Sequence, residues 1–357
     1  MIQMMQARVA QETNPFLKAL VAFYAWVHKM DRRFGLPRPV RAPSIHRQRL
    51  FAIILLICQT GITFTGSLVR VTGSGLGCDT WPQCHPGSLF PVAGAAPWVH
   101  QAIEFGNRML TFVLAIAALV TFISVVRAGR RSNILHLAFF QGIGIIIQAV
   151  IGGISVRMDL MWWTVAMHFL PSMLLVLLGA RLVVRITEPD DGSLQALMPR
   201  PLIIATNAAT VLLGITLFTG TLVTGSGPHA GDAAVLPEHR LQIPLVEIAH
   251  IHAHSMYLYL GLTLGLIAGL FTVQTTRDVR KAALWVVGGI VIQGIIGIMQ
   301  YWMGVPRWSV PIHVIGSGIL TALMGFLWSL TSRLSGGDAT LSGCLEADQE
   351  HVLSYDK

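Results

Sequence analysis

Long apolar runs alternate with short polar segments over most of the chain. A helix rises about 1.5 Å per residue, so it needs about 20 apolar residues to cross a hydrocarbon core about 30 Å thick. Backbone groups inside lipid must satisfy their own hydrogen bonds, which favours helices over irregular structure. The pattern therefore predicts eight transmembrane helices, at residues 50–70, 105–126, 133–155, 162–185, 201–223, 246–274, 282–303 and 309–332.

The chain also repeats itself. A shift of 145 residues carries Asn107 onto His252 and His168 onto His313. The same shift relates two similar apolar runs, residues 145–152 and 290–297. Four spans in each copy return the chain to its starting side of the membrane, so both copies have the same orientation. We predict an all-α membrane protein of two tandem four-helix bundles, related by a pseudo-twofold axis along the membrane normal.

Polar segments divide this architecture into five parts. A basic N-terminal arm precedes the first half, a linker joins the halves, and a tail that we expect to be disordered follows the second half. Within the arm, a stretch around residues 16–27 is suited to lie on the membrane surface and is too short to span it. The five parts are residues 1–49, 50–187, 188–200, 201–333 and 334–357.

Composition supports a membrane protein and argues against nucleic acid as a partner. Charged residues make up only 12% of the chain, about half the share that is typical of soluble domains. The net charge of +8 comes from basic residues that flank the apolar runs, where the positive-inside rule requires them. This rule predicts that both termini lie in the cytoplasm, and we expect a multi-pass protein of the plasma membrane. The residues that define the cytoplasmic side are Arg127, Arg130, Arg131, Arg181, Arg185, Arg200, Arg277, Arg280, Lys281 and Arg333.

Two histidines at repeat-related places predict a metal site in the second half. His252 and His313 both fall near the outer ends of their spans, so topology puts them at one depth. Two histidines on facing helices can hold a haem iron from both sides. The alternative is that each is only a hydrogen-bonding residue at the membrane interface. His250 is a second candidate for the ligand on this span, because Glu247 precedes it by three residues, as Glu104 precedes Asn107.

The first half has a different polar set at the same depth. Asn107 and His168 take the places of the two histidines, and Glu104 shares a helical face with Asn107. Glu104 is either an exposed group favoured by the helix dipole or an inward group that moves protons or orients a reacting group. Arg108 and Arg70 are suited to bind carboxylates, or else they extend toward the membrane interface.

Two cysteines lie six residues apart in the first outer loop, at Cys78 and Cys84. Nearby thiols outside the cytoplasm tend to oxidise, so we predict a disulfide. A free redox pair or a metal-binding pair is the alternative. Cys58 and Cys344 have no evident partner.

Residues 50–333 resemble the haem A synthase family, whose members convert haem O into haem A for terminal oxidases. The resemblance is most specific in RVTGSGLGCDTWPQC at 70–84 and EFGNR at 104–108. The segment TGSGPHAGD at 224–232 is similar to the actinobacterial-type members in particular. The resemblance implies the same four-plus-four helix bundle, and it also matches Cys78 and Cys84 to a cysteine pair of the family.

The resemblance assigns a task to each half. In the second half it implies a haem b between His252 and His313. In the first half it implies a pocket for the substrate haem O, with the family's glutamate at Glu104 and its second histidine at His168. Many members have histidine where this chain has Asn107. Because asparagine is a poor iron ligand, we expect His168 to hold the substrate iron alone and leave its other face open.

The resemblance further implies oxidation of the C8 methyl group of haem O to a formyl group. The partners that follow are the lipid bilayer, a haem O synthase and an electron donor, and a homo-oligomer stays open. The rival hypothesis is a membrane b-type cytochrome that passes electrons between quinol and a partner. A transporter ranks last, because the spans contain few charges that could form an ion path.

Overall fold

The computed structural model describes residues 15–35, 40 and 42–336. In this part of the chain, nine α-helices account for nearly all regular structure, and eight of them are long and apolar enough to cross a membrane. The prediction of eight spans is confirmed. The helices are α1 (Pro15–Arg33), α2 (Ile45–Val71), α3 (Trp98–Arg127), α4 (Ser132–Arg157), α5 (Trp162–Arg185), α6 (Arg200–Ser226), α7 (Leu245–Thr272), α8 (Arg277–Trp302) and α9 (Ser309–Ser329).

The eight long helices form two bundles of four. In the first half, α2 packs against α3, α3 against α4, α4 against α5, and α5 closes the ring on α2. Helices α6 to α9 form an equivalent ring in the second half. The halves meet where α9 packs against α5 and α2, and where α5 packs against α6. This arrangement is consistent with the predicted pseudo-twofold relation.

The two ends of the bundle differ in their loops. One end, here called the long-loop end, has the segments 72–97 and 227–244 between helices. The opposite end, the arginine-rich end, has the turn at 128–131 and the linker that follows α5. Helices α5 and α9 both begin at the long-loop end. Their histidines, His168 and His313, therefore lie near that end.

A buried network of charges closes the arginine-rich end of the first half. Glu188, only 1% exposed, accepts hydrogen bonds from Arg131 and Arg185. Arg130, also buried, donates to Asp190 at 3.0 Å and to the carbonyl oxygen of Glu188 at 2.7 Å. Each buried charge therefore has an opposite charge beside it, as burial requires. The network fixes the start of the linker against α4 and α5.

A short two-stranded sheet joins the linker to the end of the second half. Strand β1 (Ser193–Ala196) pairs antiparallel with β2 (Ser332–Ser335). The sheet is a small addition to the all-α architecture. It shows that the first two residues of the predicted tail, Leu334 and Ser335, belong to a strand. Gly336 follows the strand, and the remainder of that tail, residues 337–357, lies outside the described residues.

Helix α1 is amphipathic and packs on the first half. Leu20, Val21 and Tyr24 are buried, and the ring of Tyr24 contacts that of Phe122 on α3, with 5.7 Å between centroids. Burial raises the pKa of the Tyr24 hydroxyl. Trp26, by contrast, is 55% exposed. The apolar face of α1 packs against the protein, whereas aromatic side chains such as that of Trp26 stay exposed. This is the pattern expected of a helix that lies on a membrane surface.

Candidate functional site

The structure brings His252 and His313 together in the second half. His252 lies on α7 and His313 on α9, and both are partly buried near the long-loop end. Their imidazole rings have centroids 6.4 Å apart and planes at 83° to each other. Neither side chain is fully exposed, and the two rings lie beside each other between α7 and α9.

The spacing of the rings fits a metal ion held between them. Bonds about 2 Å long to two opposed imidazole nitrogens place the ring centres roughly 6 to 6.5 Å apart. Among the described residues, His, Cys, Asp and Glu side chains form no group of three or more that could hold a metal. The four planar nitrogens of a haem would complete the coordination of an iron held between two imidazoles.

Polar groups and a glycine set the orientation of His252. The Oγ1 atom of Thr219 on α6 lies 3.1 Å from its Nδ1 atom and 3.0 Å from the hydroxyl of Ser255. A Cβ atom at Gly220 would lie 3.2 Å from the Cε1 atom of His252, so this position leaves room for the ring. A hydrogen bond on Nδ1 leaves Nε2 as the atom available to a metal, as is usual for histidine ligands.

The alternative histidine, His250, points elsewhere. Its side chain is exposed, and its ring lies beside Tyr301, with 6.4 Å between centroids. His254 is also exposed and lies beside Tyr257. The helical repeat turns both rings away from His313. Of the three histidines in this segment, the structure places His252 opposite His313.

In the first half, Asn107 and His168 lie on α3 and α5 near the long-loop end. The Oδ1 atom of Asn107 accepts a hydrogen bond of 2.8 Å from Thr65 on α2. The ring of His168 packs against Gly152 on α4, where a Cβ atom would lie 3.2 Å from its Cε1 atom. Gly297 has the same relation to His313, at 3.4 Å. Each half therefore presents a histidine against a helix that has a glycine at the contact.

Glu104 and Arg108 hold the loop that covers the first half. Glu104 is 5% exposed, and its Oε2 atom accepts a 2.6 Å hydrogen bond from the amide of Cys78. Arg108 donates to the Oε1 atom of Glu104 through Nη2 at 2.5 Å and through Nε at 3.2 Å. Its remaining donors reach the carbonyl oxygens of Thr80, Gln83 and Cys78. All five guanidinium donors are thus used within the protein.

The predicted disulfide between Cys78 and Cys84 is confirmed, and both cysteines are fully buried. Within this loop, the carbonyl oxygen of Trp81 accepts hydrogen bonds from Arg157 at the end of α4. The ring of Trp81 lies where a Cβ atom at Gly153 would be, 2.3 Å from its Cδ2 atom. The disulfide loop therefore packs next to the α4 segment that faces His168.

The long loops of the two halves are joined. The amide of Gly75 donates to the carbonyl oxygen of Gly231 at 2.8 Å, and Arg70 donates to that of Thr224 at 3.0 Å. In the second loop, Arg240 donates to the carbonyl oxygens of Gly225 and Gly227. Burial lowers the pKa of Arg240. These contacts join the long loops of the two halves at this end of the bundle.

Sequence reasoning missed several polar groups around these sites. Thr219 and Ser255 orient His252, and Thr65 pairs with Asn107. Thr and Ser are common in spanning helices, where they bond to backbone carbonyls, so composition alone does not single them out. A comparison of the two halves could have found them. A polar residue near a histidine in one half has an equivalent position in the other half, and that position can be checked.

Comparison with known proteins agrees with this architecture. The sequence profile of the COX15-CtaA family, described as "Cytochrome oxidase assembly protein", matches residues 49–324. A "Heme A synthase" of Listeria monocytogenes serotype 4a (strain HCC23) is 25% identical over 299 residues, which cover 80% of this chain and 95% of the relative. One from Lysinibacillus sphaericus (strain C3-41) is 31% identical over 193 residues, which cover 53% and 60%.

A third relative, the "Heme A synthase" of Bacillus pumilus (strain SAFR-032), is 26% identical over 277 residues, which cover 71% of this chain and 85% of the relative. The matched region contains all eight spanning helices almost completely, with the histidine pair of the second half and the disulfide loop of the first. The resemblance seen in the sequence is thereby confirmed, and the chain belongs to the COX15-CtaA family of cytochrome oxidase assembly proteins.

Proposed function

We propose that this protein is a haem A synthase that oxidises the C8 methyl group of haem O to a formyl group. The observation that carries the proposal is the pair His252 and His313, with ring centroids 6.4 Å apart, in a chain of this family. The first half repeats part of this site but has an asparagine in place of one histidine. Two related pockets with different ligand sets suit a permanent cofactor and an exchangeable substrate.

In this proposal His252 and His313 would hold haem b in the second half. Bound there, the haem would relay the electrons that hydroxylation by oxygen consumes; such chemistry is needed because a saturated methyl group has no acidic proton and no good leaving group. The protein's own residues orient the ligands: Thr219 holds the His252 ring by a 3.1 Å contact at Nδ1. The glycines at 220 and 297 leave space for the two rings.

The first half takes haem O in this proposal, with His168 as its iron ligand. Asn107 sits where the second histidine would be, and its Oδ1 atom is already engaged by Thr65. Asparagine binds iron poorly, so the substrate keeps one open axial position and can leave as product. Oxygen activation needs such an open position.

Glu104 and Arg108 act as positioning residues in this proposal. Their buried ion pair and the contacts of Arg108 to three loop carbonyls hold the disulfide loop over the first pocket. The loop excludes water from the site, and exclusion of water protects reactive intermediates from side reactions. Arg70, which has one hydrogen bond to Thr224, is better suited than Arg108 to meet a propionate of the substrate.

The protein lies in the plasma membrane in this proposal, with both termini in the cytoplasm. The arginine-rich end then faces the cytoplasm, as the positive-inside rule requires. The disulfide loop faces the opposite, oxidising side. A haem O synthase delivers the substrate, and a separate electron donor reduces haem b.

Expression with a source of haem O, followed by chromatography and mass analysis of the extracted pigments, tests this function. Conversion of haem O to a hydroxymethyl or formyl product is the expected result. Haem b as the only pigment, with haem O left unchanged when it is supplied, favours the rival membrane b-type cytochrome.

A further inference from the structure

Gln148 on α4 has a buried side-chain amide that takes no part in the interactions described above for the first half. Its side chain is 8% exposed, and both its Oε1 and Nε2 atoms are buried without a hydrogen-bond partner among the described residues. Leaving a buried polar atom unsatisfied is costly in a folded protein, and here both ends of one amide are in that state. A group of this kind calls for a polar partner that arrives from outside the chain.

The position of Gln148 identifies the pocket that this partner enters. Gln148 lies one turn before Gly152, so both residues are on the same face of α4. Gly152 contacts the ring of His168, and the backbone of Gln148 also lies beside that ring. Gln148 therefore lies on the face of α4 that meets His168, one turn deeper in the bundle than the Gly152 contact.

The depth of Gln148 narrows the choice of partner group. Helix α4 runs toward the long-loop end and finishes at Arg157, so Gln148 lies about 14 Å below that end. Carboxylates of a porphyrin belong at the polar, looped end of the bundle, where water is close. The group that reaches Gln148 is then on the opposite edge of the ring, toward the middle of the membrane.

The second half offers a built-in comparison. The repeat-equivalent residue is Gln293, whose Nε2 atom would lie 1.6 Å from a Cβ atom at Gly316 on α9. This amide therefore packs directly against the neighbouring helix, and of its two polar atoms only Oε1 lacks a hydrogen-bond partner among the described residues, whereas Gln148 lacks partners at both. The equivalent of Gly316 in the first half is Pro171, within α5, so a proline stands where the second half has a glycine. The two amides thus have different surroundings, as two pockets for different porphyrins would require.

The geometry points to Gln148 as the residue that recognises an alcohol on the deep edge of the substrate porphyrin. An alcohol donates one hydrogen bond, which suits Oε1, and accepts another, which suits Nε2. This inference rests on the proposed function, in which the substrate is haem O. Haem O has a hydroxyethylfarnesyl group on the side of the ring away from its propionates, where haem b has a vinyl group that can neither donate nor accept.

Binding measurements with Gln148→Leu and Gln148→Met test the assignment. Purified protein with haem b in the second half is titrated with ferric haem O or ferric haem b, without reductant, and the absorbance change reports binding in the first half. Wild type should bind haem O more tightly than haem b, and both variants should lose about ten-fold of this preference. Gln293→Leu, the matched control, should keep it.

Thermal unfolding without haem O separates recognition from a structural role. If Gln148 is unpaired, an apolar side chain of similar volume should leave the midpoint unchanged or raise it. A lower midpoint in both variants would mean that the amide has a partner within the protein, and the inference would be overturned. An unchanged preference for haem O in the two variants would overturn it as well.

The outcomes also separate this inference from the proposed function. If haem O is turned over and Gln148→Leu leaves the binding preference unchanged, the proposed function stands and the role of Gln148 is refuted. If the preference for haem O depends on Gln148 but no oxidised product forms, the role of Gln148 stands and the proposed enzymatic function is refuted. If wild type binds haem O no better than haem b, the assignment of Gln148 fails whatever the turnover.

Discussion

Replacing Arg108 by methionine removes the guanidinium group that ties α3 to the disulfide loop. Its three nitrogen atoms donate two hydrogen bonds to Glu104 and three to loop carbonyls. The carboxylate of Glu104, whose side chain is 6% exposed, would lose its counter-charge. Breaking a buried ion pair in this way costs about 3 to 5 kcal/mol. We expect the midpoint of thermal unfolding to fall by about 5 to 10 °C.

A double-mutant cycle isolates the ion pair from the other contacts of Arg108. Glu104→Gln removes the charge but keeps the side-chain shape, so Glu104→Gln combined with Arg108→Met should recover about 1.5 to 3 kcal/mol of the loss. Arg157→Met is the matched control. Its guanidinium is exposed and contacts the same loop only through the carbonyl oxygen of Trp81, so its loss should cost about 1 kcal/mol or less.

Tryptophan fluorescence during heating in detergent measures the unfolding, and protease cleavage within residues 78–84 measures release of the loop. Arg108→Met should be cleaved faster than wild type and should lose haem O turnover as strongly as Glu104→Gln, since both residues act through the loop. Equal stability of Arg108→Met and Arg157→Met, or strictly additive effects of the Glu104 and Arg108 substitutions, would refute this reasoning.

Three further predictions concern the histidine pair, the first pocket and the charged network. His252→Ala should abolish the bound haem b spectrum because it removes one of two axial ligands, whereas His250→Ala should retain it; equal spectra of the two purified variants would contradict the assignment. Asn107→His should add a second ligand to haem O, convert its spectrum toward that of a six-coordinate haem and slow turnover at least ten-fold. An unchanged spectrum and an unchanged rate would show that residue 107 does not lie beside the iron of bound haem O. Glu188→Leu leaves Arg131 and Arg185 without their shared partner and should lower the free energy of unfolding by about 3 to 5 kcal/mol, as chemical denaturation can measure; a loss below about 1 kcal/mol would show that the network has no stabilising role.

The spanning helices could be predicted from the sequence almost completely, because the bilayer imposes one length on every apolar run. The predicted fourth span, residues 162–185, has the same bounds as α5. The largest difference between predicted and observed bounds is at the start of α3, which begins at Trp98, whereas the predicted span began at residue 105. Those extra residues lie beyond the apolar run, and contacts of Gln101 with the loop carbonyls of Val92 and Ala96 stabilise them. Such tertiary contacts leave no periodic signal.

The candidate site was only partly predictable. The shift of 145 residues singled out His252 and His313, and the structure places their rings 6.4 Å apart, while their role as ligands stays a prediction. The role of Arg108 could not be inferred, because its partners are backbone carbonyls of a distant loop. Any residue offers such a carbonyl, so nothing in the side-chain pattern marks it. The strands β1 and β2 were missed for a similar reason, since four exposed or half-buried residues make no distinctive pattern.

The most direct test of two pockets with different tasks is the pigment content of His168→Ala and His313→Ala, each purified from cells that make haem O. His168→Ala should keep haem b and lose bound haem O together with its oxidised products. His313→Ala should lose haem b and still bind haem O. A colourless wild-type protein under ample porphyrin supply, or normal formation of haem A by His168→Ala, would contradict the account.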